Sequence, residues 1–235
     1  GGRDHDVPDG GVIRVLVPEI LDHLAAEDPR ALRSRRDLAR INAVMRQSAI
    51  MAKALSNFPV PKFLADLGGG DGRFLFSVAR RLARRWPGVK VLILDQQSIV
   101  SAGTRSQFAA LGWDCEVLQG DIFQTLSQIA PDIVTVNLFL HHLDDAALAG
   151  LLALAAERAK GLAACEPRRS TFALLASHLV FALGANDVTR HDAVASVRAG
   201  FRASELSKLW PQNRGWQLCE HGSFPFTHVF KAHAV

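Results

Sequence analysis

The sequence predicts an α/β protein, doubly wound around a mostly parallel sheet of seven strands. Three observations carry that prediction. Between residues 62 and 166, short apolar runs alternate with helical patterns, at 62–67, 72–86, 89–95, 98–111, 115–119, 122–129, 132–138, 144–160 and 161–166. Such alternation implies right-handed crossovers and helices on both faces of a parallel sheet. The first strand run opens into Asp66-Leu67-Gly68-Gly69-Gly70-Asp71-Gly72, a glycine turn between strand and helix. Two further strand runs, at 216–220 and 227–232, follow in direct succession and raise the strand count from five to seven.

In chain order, residues 1–11 are polar and glycine-rich and are expected to fray. Val12, Val15, Leu16, Ile20 and Leu24 fall at helical spacing and predict a helix over 12–26. Asp28-Pro29 opens a second helix that runs to about Leu55, with Leu38, Ile41, Val44, Met45, Ala49 and Leu55 on one broad face. Asn57-Phe58-Pro59-Val60-Pro61 stops it before the first strand. The chain thus divides into an N-terminal helical segment, 1–61, and an α/β domain, 62–235.

The turn after the first strand reads acid-x-Gly-x-Gly-x-Gly. Glycines at alternate positions let the backbone turn sharply and let a ligand lie against the main chain. The dinucleotide fingerprint needs glycines at its first, third and sixth positions, and the sixth position from Gly68 is Arg73. That reading fails. The second strand, Val89-Lys90-Val91-Leu92-Ile93-Leu94, ends at Asp95 beside Gln96, where a carboxylate can grip a ribose diol. The third, Cys115-Glu116-Val117-Leu118-Gln119, is closed by Gly120-Asp121-Ile122. Asp121 offers a second acceptor at this edge and Ile122 an apolar surface beside it. The fourth, Asp132-Ile133-Val134-Thr135-Val136-Asn137, opens into Leu138-Phe139-Leu140-His141-His142-Leu143. All these ends fall on one edge of the sheet, where ligands bind in folds of this class.

In order and spacing the four elements resemble the class I S-adenosylmethionine-dependent methyltransferases, small-molecule branch (quinone and natural-product type). The resemblance covers 62–166 closely and the rest loosely. It implies S-adenosyl-L-methionine as cofactor, held by Asp66, Gly68, Gly70, Gly72, Asp95, Gln96, Asp121, Ile122 and Asn137. It implies a seven-stranded sheet with an antiparallel final strand and an N-terminal helical lid over the cofactor. It also makes 167–210 a substrate-side helical insertion before the last two strands.

The Leu-His-His pattern at 140–142 resembles the same branch, in which this pair faces the acceptor. Two adjacent histidines cannot both point the same way. One is expected as the base, with His141 preferred, and the other as packing. His191 is a further candidate base, with Asp187 and Asp192 close enough in sequence to orient it. Glu166, ending the fifth strand, points to the same edge. Tyrosine is absent from the chain, which removes one common base. Cys165 lacks the Pro-Cys context of cytosine methyltransferases and reads as a buried small residue. No Asn/Asp-Pro-Pro-aromatic motif follows the fourth strand, which weighs against amide or adenine-amine methylation. The apolar run 172–183 reads either as core or as a pocket wall. In the second case Phe172, Leu175, His178, Leu179 and Phe181 would suit a flat aromatic or lipid-like acceptor.

Composition narrows the function further. Six of the 27 basic residues are lysines, leaving 27 − 6 = 21 arginines in an Ala- and Leu-rich chain. That pattern fits coding bias better than a nucleic-acid surface, so nucleic acid is not expected as a partner. Arg80, Arg81, Arg84 and Arg85 read as the solvated face of the helix after the glycine turn, while Arg33, Arg35, Arg36 and Arg40 crowd the N-terminal segment. No run reaches the ~18 apolar residues of a membrane span. Cys115, Cys165 and Cys219 lack metal-ligand spacing and fit a reducing cytoplasm; no metal is expected, and a homodimer is compatible with the sequence. No signal-peptide pattern opens the chain, and Gly1 in place of methionine fits a trimmed or processed protein. The expected function is methyl transfer to a small hydrophobic acceptor, most simply O-methylation of a phenol or enol. The alternatives are transfer to carbon or nitrogen of a similar molecule, non-catalytic binding of cofactor or partner, and RNA methylation.

Overall fold

A computed structural model describes residues 13–25, 27–97, 99–178, 184–212 and 215–235. The expected fraying of 1–11, Val12, Leu179 and Phe181 lie outside the described residues. The sheet comprises β1 (Phe63–Leu67), β2 (Lys90–Asp95), β3 (Asp114–Gln119), β4 (Ile133–Asn137), β5 (Gly161–Pro167), β6 (Trp216–Ser223) and β7 (Thr227–Ala234). Its order is β3-β2-β1-β4-β5-β7-β6. The first five strands are mutually parallel, and β7 runs antiparallel between β5 and β6. The expected architecture is therefore the observed one. Strand order reverses between β1 and β4, and the registers Leu67↔Leu94, Leu67↔Val136, Asp95↔Gln119 and Asn137↔Cys165 align the carboxyl ends at that switch point.

Successive strand residues face opposite ways, so the inner strands are apolar on both sides and each face has its own core. Val91, Ile93 and Cys165 join Leu55, Phe58, Leu75, Trp86, Phe108 and Trp113 on one face. Leu67, Leu94, Val134 and Val136 join Leu126, Leu148, Leu151, Trp210 and Phe230 on the other. Cys165 is fully buried, as expected, and burial pushes its thiol pKa up.

The helices are α1 (Pro29–Val44), α2 (Gln47–Leu55), α3 (Arg73–Leu82), α4 (Ala102–Ala110), α5 (Ile122–Gln128), α6 (Asp145–Arg158), α7 (Thr171–His178), α8 (Asp187–Ala199) and α9 (Glu205–Leu209). Side chains of Ser101, Asp121, Asp144 and Asn186 accept from the backbone N–H three residues on, the donor an N-terminal turn leaves unpaired. Arg80, Arg81, Arg84 and Arg85 are exposed, as expected of a solvated face. No described helix is long and apolar enough to cross a membrane.

Three expectations need correction. A helix over 12–26 was expected, but among its described residues 13–19 have no regular structure and the 3₁₀ turn Leu21–His23 is the only helical element. Pro18 lacks an N–H and the β-branched Val15 and Val17 disfavour a helix. The segment is instead an extended strap sewn onto α8. Val15 N–H donates to the Arg198 carbonyl at 3.2 Å, and Ile20 and Leu21 N–H donate to the Asp192 carboxylate at 2.8 and 3.0 Å. The helix expected over 28–55 is two helices, broken where Arg46 takes a left-handed φ of 55°. The apolar stripe continues across the break, so periodicity alone does not reveal it. The first turn of α9 is capped from outside the helix, where the Glu220 carboxylate of β6 accepts from Leu206 and Ser207 N–H. Phe172 and Leu175 are 62% and 61% exposed, because α7 turns its small Ala173 and Ser177 inward.

Candidate active site

Three backbone features build the glycine turn. Gly68, Gly70 and Gly72 take φ of +68°, +54° and +76°, a region side chains disfavour. A Cβ on Gly68 would stand 2.7 Å from the Phe139 ring, and one on Gly72 2.8 Å from Ile93. A Cβ on Gly70 would meet nothing within 4 Å. Two glycines thus serve packing, while the middle one borders open space on the ligand edge. Asp95 fixes this loop: one oxygen accepts from Gly70 N–H at 2.9 Å and the other from Gln97 N–H at 2.8 Å. A carboxylate oxygen carries two lone pairs, so each retains one for a ligand hydroxyl. Asp95→Ala is expected to weaken S-adenosylhomocysteine binding by ~1.5–3 kcal/mol, the scale of losing hydrogen bonds to a charged group. Calorimetric titration measures this, and an unchanged dissociation constant would mean that Asp95 holds no ligand hydroxyl.

Beneath the loop, Asp66 is buried and accepts from the Thr135 hydroxyl at 2.6 Å. Burial, reinforced by the charge of Asp95 and opposed by the Thr135 bond, raises its pKa from the ordinary 3.8 to about 7. Between those values the folded chain holds a proton that the unfolded chain does not. The contribution of Asp66 to stability therefore falls as pH rises from about 4 to about 7. Urea unfolding should show Asp66→Asn reducing this loss, whose full extent is on the order of 4 kcal/mol. An equally steep loss in the variant would show that Asp66 is ionised in the fold.

The remaining expected cofactor residues are placed as follows. Gln96 has an exposed side chain, and its carbonyl accepts from the Gln119 amide at 3.0 Å. Asp121 is exposed and caps α5 through one oxygen at 2.7 Å from Gln124 N–H. Ile122 is 4% exposed and packs with the second core. Asn137 ends β4 with its side-chain Oδ1 buried and unpaired. Gln97, not singled out from the sequence, accepts from the Arg35 guanidinium of α1 at 3.0 Å, which draws the N-terminal segment over the end of β2.

The second half of the site is organised by Glu166. Its side chain is fully buried, and one oxygen accepts from Phe139 and Leu140 N–H at 3.0 and 2.9 Å, shaping the 3₁₀ turn Leu140–His142. The other stands 2.7 Å from Nδ1 of His141, a buried ring. Across that ring, Nε2 lies 3.3 Å from Oε1 of Glu19, on the strap. Ser196 Oγ of α8 also donates to Glu19 Oε1. Burial acts to lower the His141 pKa, but the carboxylates of Glu166 and Glu19 outweigh it and bring it to about 9. Burial acts to raise Glu19, but its bond to His141 and the charges of both histidines hold it below the usual carboxylate range.

His142 is partly exposed and tilts against His141, with ring centroids 4.2 Å apart. The pair borders a cavity of about 340 Å³ with Glu19, His23 and the apolar wall of Leu16, Val17 and Pro18. His191 lies elsewhere. It is exposed, pairs with Asp192 at 3.0 Å, and borders a different hollow with Ser177, His178 and Arg190. Asp187 pairs with Arg190 at 3.1 Å. The structure therefore brings His141, His142 and Glu166 together and leaves His191 apart. Glu19 joins them from 122 residues away, on a segment whose sequence pattern suggested a helix.

Residues 20–162 match the family described as the O-methyltransferase domain. An O-methyltransferase family protein from Burkholderia thailandensis superposes with a TM-score of 0.58 at 21% identity, over 89% of this chain and 62% of its own. Mitomycin 7-O-methyltransferase MmcR superposes with a TM-score of 0.61 at 20% identity, over 92% of this chain and 60% of its own. The plantazolicin methyltransferase BamL, solved with a desmethyl analogue and S-adenosylhomocysteine, gives 0.64 at 12% identity, covering 91% and 92%. At these identities the likeness is one of fold. This chain spans about three fifths of the first two proteins. No curated protein matches it by sequence.

Proposed function

The chain belongs to the O-methyltransferase domain family, and from that premise we propose that it methylates a phenol or enol oxygen of a small hydrophobic acceptor, of polyketide or quinone type. The observation that carries this reading is the Glu166–His141 pair, set beside an apolar-walled cavity by the turn that follows β4.

The residues present fit S-adenosyl-L-methionine. Open space stands over Gly70, lone pairs remain on Asp95 for a ribose, and the buried Oδ1 of Asn137 lacks a hydrogen-bond donor of the kind an ammonium group offers. Asp121 keeps one oxygen beyond its capping bond for an adenine amine. When bound, the cofactor supplies an electrophilic methyl group on a sulfonium. The 1–61 segment acts as a lid, a role supported by the Arg35–Gln97 contact and by the strap across the cavity.

The chain's own contribution is alignment and proton transfer. Glu166 holds the Nδ1–H tautomer of His141 and directs Nε2 toward the cavity side. An acceptor hydroxyl displaces Glu19 from Nε2. With one carboxylate gone the imidazolium is a stronger acid and gives its Nε2 proton to the departing Glu19 carboxylate, which leaves a free lone pair on the ring; Nε2 then takes the hydroxyl proton while Glu166 stabilises the imidazolium. To test the reading, the purified chain is incubated with labelled methyl donor and a panel of phenols and enols, and the position of the label is read by NMR. Labelled oxygen is the expected result. Label on carbon or nitrogen would replace the O-methylation reading, and failure to bind S-adenosylhomocysteine would remove the cofactor reading.

A further inference from the structure

We propose that Glu19, His141 and His142 form a binding site for one divalent transition-metal ion of the Zn²⁺ type at the head of the cavity. One ligand atom from each residue lies within 4.8 Å of the others, so a shared ion requires only side-chain adjustment. The two nitrogens of His141 are not equivalent. Nδ1 meets Glu166 at 2.7 Å, the length of a charge-assisted hydrogen bond, whereas Nε2 stands 3.3 Å from Glu19. Ligand atoms about 2.0–2.1 Å from a tetrahedral ion are separated by about 3.3 Å, so the longer gap is the edge of such a coordination shell.

Surrounding contacts are of the kind that metal sites use. A ligating histidine characteristically donates its other N–H to a carboxylate, and Glu166 already fills that role. The Glu19 carboxylate is held in turn by the Ser196 hydroxyl. Two imidazoles and one carboxylate favour Zn²⁺, Co²⁺ or Ni²⁺ over Mg²⁺ or Ca²⁺, which prefer all-oxygen shells. The fourth position opens on the cavity, whose wall includes His23. Because the ion would take the Nε2 lone pair, it would inhibit proton transfer. That consequence rests on the methyltransfer reading; binding itself does not.

The test uses metal-stripped full chain without a histidine tag, titrated with Co²⁺ and Zn²⁺. Expected is one tight site per chain by calorimetry, with the visible absorption of four-coordinate Co²⁺. His142→Ala and Glu19→Gln should each weaken binding at least tenfold, and Glu166→Gln about 10–100-fold as an outer partner. Unchanged affinity in folded His142→Ala and Glu19→Gln proteins would overturn the proposal and point to a surface group such as Cys219 and His221, 3.7 Å apart. Absence of binding to the parent would also overturn it. S-adenosylhomocysteine titration of the same samples separates the two readings, since loss of cofactor binding with an intact metal site sinks only the methyltransfer function.

Discussion

Replacing His141 is expected to lower turnover by about 10²–10⁴-fold while leaving S-adenosylhomocysteine affinity within about twofold. That range is what a positioned base contributes, and the polar partners of the His141 ring are Glu166 and Glu19, not Gly70 or Asp95. The choice of variant matters physically. Alanine would leave the fully buried Glu166 and the nearly buried Glu19 without their shared partner, and an unpaired buried charge is strongly destabilising. His141→Asn keeps a donor for Glu166 and removes the basic nitrogen, so it is the cleaner probe. Pairing His141→Ala with Glu166→Gln is the second. Both should remain folded and bind S-adenosylhomocysteine. Turnover within tenfold of the parent in either would leave alignment as the whole of catalysis. His191→Ala should retain near-parental turnover, because that ring faces a different hollow. A loss matching that of His141 would mean the acceptor reaches α8.

The contrast between these two histidines shows how far the sequence could be read. His141 was legible because it follows a strand in a parallel sheet, and the ends of such strands share one edge whatever the rest of the chain does. Asp95 and the glycine turn were legible for the same reason. His191 is marked in the sequence by its neighbouring carboxylates, and one of them, Asp192, does meet it at 3.0 Å, but on a helix face away from the cavity beside His141. Asp187 turns to Arg190, and Asp192 receives the strap's backbone as well as His191. Glu19 was illegible. Its importance depends on the strap being extended, and that depends on donors from α8 that no local pattern reveals. Local rules found the sheet edge; the contacts that cross from the N-terminal segment to α8 are tertiary, and they complete the site.

The glycine turn permits a sharper experiment than its pattern alone suggests, because its three positive-φ glycines have different surroundings. Gly70→Val should abolish detectable S-adenosylhomocysteine binding, an expected loss of at least 100-fold, in a protein that still folds. The new side chain would enter space in which no protein atom lies within 4 Å of the Cβ, so the chain itself can accommodate it. The left-handed φ of +54° costs a branched residue about 1–2 kcal/mol, which is tolerable for a domain with two large cores. Gly68→Ala and Gly72→Ala should behave differently. Their Cβ atoms would strike Phe139 and Ile93 at 2.7 and 2.8 Å, so those variants should lose thermal stability as well as binding. Thermal melting and calorimetric titration of the three proteins separate the roles. Full S-adenosylhomocysteine affinity in Gly70→Val would mean the open space over that residue is not where the cofactor lies. Equal destabilisation in all three would instead show that the whole turn serves packing, and Asn137, with its buried unpaired oxygen, would become the better marker of the ligand's position.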